Sequence, residues 1–276
     1  MLKVALLPFD EFDLSTKCTI ELRHQIEREG HSFFVLDKTL LDLDMDVGRV
    51  ARTVGRTKAD AWVLIGATQE VLEWFVEKEV PAFSLFGVHT AVPIAAGRPD
   101  KQAAFADFTR RLIRLGHTRI SFVCRRHARK PQPSKNLCGY LGELEAAGIA
   151  AGDFNLPDWE ESREGFAQVL DSLFRITPPT ALIIEESYQY QAAYHQLSRM
   201  GFRVPEDVSL ICTDSSPEFV WCKPSVSYVH WDYNPLVRRM VRWTNNVAKG
   251  RNDRRQFTTE ARFFEGGSIG PALKDR

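Results

Sequence analysis

The chain has 276 residues, and its 36 basic side chains balance 36 acidic ones, so the formal net charge is zero. That balance gives no general attraction to a phosphate backbone, and a hydrophobic content of 44% is that of a globular chain with a sizeable core. No run approaches the roughly 18 apolar residues of a membrane span. Met1–Pro8 is too short, and too soon ended by Pro8, for a secretory segment, so a cytoplasmic protein is expected.

Short apolar runs of strand length alternate with helical patterns from the start of the chain, which predicts α/β architecture with parallel sheets and crossover helices. The strand candidates are Val4–Leu7, Phe33–Leu36, Trp62–Ile65, Ala82–Leu85, Ile120–Cys124, Ala181–Ile184 and Val208–Cys212. Between them, Phe105, Phe108, Leu112 and Leu115 recur at helical spacing and Gly116 ends that helix. The basic run Arg125–Lys130 reads as a solvated loop. A late helix from about Pro235 to Lys249 ends at Gly250, with Arg238, Arg239 and Arg242 assigned to its wet face. Cys18, Cys124, Cys138, Cys212 and Cys222 form no C-x-x-C pair, and Cys124 and Cys212 fall in apolar strands, so reduced core thiols are expected.

The most informative segment is Gly201–Asp214, GFRVPEDVSLICTD. Gly201 suits a left-handed helix cap, Pro205 stops the helix from restarting, and Val208–Cys212 is a buried-strand run. Asp214 therefore emerges at the carboxyl end of a strand, the edge where open α/β sheets bind ligands.

A second segment, Leu112–Val123 (LIRLGHTRISFV), has the helix-Gly-His-x-x-Ile-strand form that precedes such a segment in the LacI/GalR family of transcription regulators. Pro179-Thr180-Ala181 opening a strand, Gly139-Tyr140 on a helix ending at Gly148, and Pro224–Ser227 before a strand follow the same order. On these residues the chain resembles the effector-binding and dimerisation core of such a regulator. The resemblance implies two similar lobes, each a parallel sheet flanked by helices, joined by three crossovers in the manner of periplasmic binding proteins of type I. By order, the crossovers fall near Ala96–Pro99, Val229–Asp232 and Thr258–Arg262, and Gly97-Arg-Pro99 has hinge-like composition. The lobes are then 1–97 with 232–258, and 98–231 with 259–276. A homodimer, a small-molecule effector between the lobes and lobe closure on binding are further implications. DNA binding would require a helix-turn-helix, which this chain is expected not to carry.

The resemblance places ligand contacts at Asp214, Phe9, Asp10, Phe86, Asn136, Glu186 and Trp221. A carboxylate at Asp214 accepts hydrogen bonds from vicinal hydroxyls, as sugar recognition requires, although an Asx-turn is its other reading. Phe9, Phe86 and Trp221 are candidates to stack on sugar C–H surfaces, with core packing as the alternative. The chain also departs from the family. Asn136 stands where an arginine commonly holds ligand oxygens, and Glu185-Glu186 replaces the usual Asn-Asp. The charge argument therefore favours a neutral or cationic ligand, with a sugar as the expected effector.

Enzyme readings fail at each motif. Gly266-Gly-Ser268-Ile-Gly270 has no histidine after it, no phosphate or dinucleotide loop is present, and no zinc-ligand spacing occurs. No cofactor and no metal are expected. The alternative function is a solute-binding protein of a sugar transport system.

Overall fold

The computed structural model describes residues 1–87, 91–130 and 132–273; residues 88–90, 131 and 274–276 of the predicted lobes lie outside the described residues. In chain order the elements are β1 (Lys3–Leu7), a 3-10 turn (Glu11–Ser15), α1 (Lys17–Arg28), β2 (Ser32–Val35), α2 (Val47–Arg56), β3 (Ala61–Ile65), α3 (Gln69–Glu77), β4 (Ala82–Leu85) and β5 (Ala95–Asp100). There follow α4 (Gln102–Arg114), β6 (Ile120–Val123), α5 (Arg126–Arg129), α6 (Lys135–Ala146), α7 (Arg163–Ile176), β7 (Ala181–Ile184), α8 (Ser187–Arg199) and β8 (Ser209–Cys212). A second 3-10 turn (Pro217–Trp221), β9 (Ser227–Trp231), α9 (Asn234–Ala248) and β10 (Gln256–Phe264) complete the described chain.

The chain divides into two compact units, Met1–Pro99 with Asp232–Thr259, and Asp100–Trp231 with the segment from Glu260 onward. In the first unit the strand order is β2-β1-β3-β4-β5-β10, and β2 through β5 run parallel. Strands such as Ala61–Ile65 are apolar at every position because helices cover both faces of a parallel sheet. One face packs Leu7, Trp62, Leu64 and Phe75 against α2 and α3. Toward α9, Phe83 meets Trp243 edge-on at 5.6 Å. Arg239 of α9 lies over the Phe83 ring and is 8% exposed, with its guanidinium bonded to Asp253 at 2.8 Å. Of the arginines assigned to the wet face of this helix, Arg238 and Arg242 are exposed; Arg239 is not, because a buried carboxylate meets it.

The second unit has the order β10-β9-β8-β7-β6, parallel from β6 to β9 and antiparallel between β9 and β10. On one face α4 and α6 bury Phe105, Phe108, Leu112 and Tyr140 against Phe122. On the other, α7 and α8 bury Phe166, Leu170, Phe174 and Leu197 against Leu182 and Leu210. The Gly139-Tyr140 pair has a packing reason: a Cβ on Gly139 would lie 2.2 Å from the carbonyl oxygen of Gln102, so only glycine lets α4 and α6 approach this closely. The Tyr140 hydroxyl then donates to the carbonyl of Ile120 at 3.0 Å.

The Gly-His-x-x-Ile motif is explained in the same way. Gly116 has φ +92 and ends the α4 turn, and buried His117 joins Thr180 Oγ1 (2.9 Å), Gly270 O (2.9 Å) and Ser209 Oγ (3.0 Å). One imidazole thus ties the starts of β7 and β8 to the C-terminal segment. Ser268, the centre of the elbow-like Gly-Gly-Ser-Ile-Gly sequence, is fully buried, donates to Leu210 O at 2.6 Å and accepts from Ser227 N at 2.8 Å. It is a brace between strands.

The three crossover segments expected from the resemblance fall on extended strand: Ala96–Pro99 within β5, Val229–Trp231 at the end of β9 and Thr258–Arg262 within β10. Gly97 lies inside β5, where a Cβ would come within 2.8 Å of Leu236, so its glycine answers to packing against α9. Cys18, Cys124 and Cys212 are buried free thiols, while Cys138 is exposed.

Candidate ligand-binding site

In the second unit the carboxyl ends of three parallel strands are aligned, with Val123 opposite Ile184 and Ile184 opposite Cys212. The residues that leave these strands therefore sit side by side: Cys124-Arg125, Glu185-Glu186 and Thr213-Asp214. Arg125 is 8% exposed and knits the row together. Its backbone N–H donates to Glu185 Oε2 at 2.6 Å, its Nε to Glu186 Oε1 at 3.2 Å, and Nη2 to the Tyr188 hydroxyl at 3.0 Å. Lys101, just before α4, donates from Nζ to the Thr213 carbonyl at 2.8 Å, which brings a second cation to the same edge.

Glu186 occupies the N-cap position of α8 but makes no capping bond with its side chain, which is turned to Arg125 instead. Burial pushes its carboxyl up to about 7; Arg125 opposes the rise, Glu185 and Asp214 add to it, and Lys101 opposes it. The edge thus carries acceptors at Glu186 and Asp214 and is close to charge-balanced. Burial, followed by the charge of Asp214, raises the Cys212 thiol well above its usual range, so it stays protonated.

Asp214, half-buried, lies two residues past the end of β8 in the position that sequence reasoning gave it. Glu186 and Asp214 are brought together. Asn136, in the first turn of α6, is nearby but occupied on one side, since its Oδ1 accepts from the Lys101 N–H at 3.0 Å and so pins the start of α4. Trp221 closes the second 3-10 turn with 86% of its surface exposed; the aromatic that anchors this loop is Phe219, 5% exposed and packed between Tyr190 and Tyr228.

The equivalent edge of the first unit holds the remaining candidates. Phe9 is 7% exposed because its ring packs on Gly66, whose φ of +64 and lack of a Cβ (which would be 2.8 Å from the ring) make room for it. Of its two readings, the packing one describes its contacts within this unit. Asp10 caps the 3-10 turn, with Oδ1 accepting from Phe12 N at 3.0 Å and Asp13 N at 3.3 Å. Phe86 is half-buried past the end of β4, held at φ +62 while its N–H donates to Gly97 O at 3.0 Å. A left-handed phenylalanine is a strained backbone position, and such positions cluster at functional sites.

The sequence reading missed Arg125, Arg129 and Lys101. Arg125 and Arg129 were assigned to a solvated loop, yet they are 8% and 6% exposed, and Arg129 also pairs with Asp158 and donates to Cys124 O at 3.1 Å. For Arg125 the signal available was Glu185-Glu186 at the next strand end, whose half-buried carboxylates meet it; Arg129 pairs instead with the exposed Asp158. Among the described residues no cluster of His, Cys, Asp and Glu is arranged to hold a metal ion, and no helix is long and apolar enough to cross a membrane.

Residues 109–269 match the family described as periplasmic binding protein-like domain. Among curated proteins, the chain is 31% identical over 130 residues to the HTH-type transcriptional regulator GalR of Escherichia coli (strain K12), covering 47% of this chain and 37% of the relative. It is 28% identical over 166 residues to the HTH-type transcriptional regulator CelR of Thermobifida fusca, covering 53% and 46%. The chain thus spans less than half the length of these relatives. Its fold is that of a LacI family regulator from Enterococcus faecium solved with bound ribose (TM-score 0.76, 16% identity, 99% of this chain and 100% of the other). It is also that of the regulator CelR in complex with cellobiose (TM-score 0.78, 18% identity, 96% and 84%). The motifs, the two-unit α/β fold and the match over most of the second unit converge: this chain belongs to the periplasmic binding protein-like domain family and is homologous to the LacI/GalR transcription regulators.

Proposed function

We propose that this chain is the effector-sensing and dimerisation module of a LacI-type transcription regulator, that it works in the cytoplasm without catalysing a reaction, and that its effector is a neutral sugar. The observation that carries this reading is the row of strand ends bearing Glu186 and Asp214, inside the region matched by the family. Two carboxylates on a charge-balanced edge accept hydrogen bonds from sugar hydroxyls without demanding a charged ligand. Asn136 is assigned as a further contact in the second unit, and Asp10 and Phe86 are the candidates that the resemblance assigns at the equivalent strand-end edge of the first unit. Trp221, with its exposed ring, is assigned as a stacking face. The relatives matched in sequence are named as HTH-type regulators, which favours sensing over transport; DNA contact is then the task of a helix-turn-helix segment.

The test is calorimetric titration with a panel of ribose, galactose, glucose and cellobiose, on wild type and Asp214→Asn. One of these sugars binds wild type, and the substitution weakens it by about 1.5–3 kcal/mol, the scale of a hydrogen bond to a charged group. Equal affinity in the two proteins would remove Asp214 from the site. Sedimentation equilibrium checks the homodimer, which a monomer at tens of micromolar would contradict.

A further inference from the structure

The strand-end edge contains an arginine bonded within its own unit to two glutamates and a tyrosine hydroxyl. Arg125 comes from the end of β6, Glu185 and Glu186 from the end of β7, Asp214 from the end of β8, Lys101 from the start of α4 and Tyr188 from the first turn of α8. Arg125 spans the first two strand ends and reaches the helix through the Tyr188 hydroxyl, so its guanidinium is a fixed bridge. Glu186 is bonded to that bridge through one oxygen while 29% of its side chain remains exposed, and it lies within the electrostatic reach of Asp214.

We propose that Arg125 is a positioning residue of the sugar-binding edge: it holds Glu186 as an oriented acceptor beside Asp214, so that sugar binding at this edge is coupled to release of a proton from Glu186. The inference rests on the reading of this edge as a sugar site. The step balances simply. The protonated carboxyl gives its proton to solvent, and the resulting carboxylate oxygen accepts a hydrogen bond from a sugar hydroxyl, with no other bond made or broken. Burial is the largest influence on Glu186 and favours its acid form; of the groups that face it, Arg125 and Lys101 favour the anion, Glu185 and Asp214 the acid. Because opposing charges and burial hold the carboxyl near neutrality, donation from a sugar hydroxyl is enough to shift it toward the anion. The same geometry accounts for the missing arginine at position 136. A cation does stand at this edge, supplied from the end of β6, and it acts on the ligand through Glu186.

The experiment uses the whole chain with carbon-13 labelled glutamate, followed by carboxyl NMR from pH 5 to 9, for wild type, Glu186→Gln, Arg125→Lys and Arg125→Gln. One carboxyl titrates close to neutrality, disappears in Glu186→Gln, moves to higher pH in Arg125→Gln and returns toward the wild-type value in Arg125→Lys. Titration with the tightest-binding sugar of the panel then shows an association constant that rises about tenfold from pH 6 to pH 8 in wild type, as expected for an acceptor half-ionised midway. That rise flattens in Glu186→Gln. If every glutamate titrates below pH 5.5, or if the sugar binds with a flat pH profile while Asp214→Asn still weakens it, the proton coupling is wrong and the sugar site stands. If the carboxyl titrates as stated but no sugar of the panel binds, the sugar reading falls and takes the proposal with it.

Discussion

Arg125 and Glu186 meet across the ends of two adjacent strands, with Nε donating to Oε1 at 3.2 Å and with 10% and 29% of their side chains exposed. The pair leaves a half-buried carboxyl whose protonated form the fold favours, and this has a consequence for stability.

The folded-state value of Glu186 lies above its ordinary one, so between about pH 4.5 and 7 the native state holds more protons than the unfolded chain. Stability contributed by this group is present at low pH and is lost as pH rises through that window. Glu186→Gln therefore gains about 1–2 kcal/mol relative to wild type at pH 8 and little at pH 4.5, after allowing for partial exposure. Urea unfolding at the two pH values checks this.

His117 acts in the opposite direction. Burial lowers its proton affinity, partly offset by its bond to Gly270. Its stabilising contribution is complete above pH 6.5 and declines as pH falls through the depressed folded value. His117→Ala loses the bonds to Thr180, Ser209 and Gly270 and costs about 2–3 kcal/mol at pH 7.5. Thermal melts at pH 5.5 and 7.5 should show a smaller difference in the variant than in wild type.

Two glycines of the same helix separate packing from propensity. Gly139→Ala drives a methyl into the backbone of α4 and costs about 2–3 kcal/mol. At Gly142 nothing lies within 4 Å of the added carbon, so Gly142→Ala stabilises by about 0.5–1 kcal/mol through helix propensity. Shifts of opposite sign in the urea midpoint, with unchanged slopes, are the expected outcome.

In the first unit, Asp253 is buried beneath Arg239. Burial alone would raise its carboxyl, but hydrogen bonds from Arg255 and Asn246 and the charge of Arg239 outweigh it and hold it well below the usual range. Asp253→Asn leaves the Arg239 guanidinium buried without its counter-ion and costs about 2–4 kcal/mol. Trp243, packed on Phe83 beside Arg239, reports the loss by fluorescence during denaturant unfolding.

The sequence by itself determined the alternation of strands and helices, because a parallel strand covered on both faces must be a short, mostly apolar run, and Trp62–Ile65, Ile120–Cys124, Ala181–Ile184 and Val208–Cys212 are such runs, interrupted only by Ser121 and Ser209. It also placed Asp214 and Glu186 at strand ends, since chain order and strand length define where a strand stops. It did not reveal β5 or β10, whose Ala-Ala-Gly-Arg-Pro-Asp and alternating Thr, Glu and Arg residues lack a continuous apolar signal. Register was equally hidden, and register alone sets Arg125 beside Glu186, which is 61 residues distant in sequence. A run of six mostly basic residues has the composition of a wet loop. Only tertiary structure decides that two of its arginines are buried, because the carboxylates that stabilise them arrive from other strands and loops.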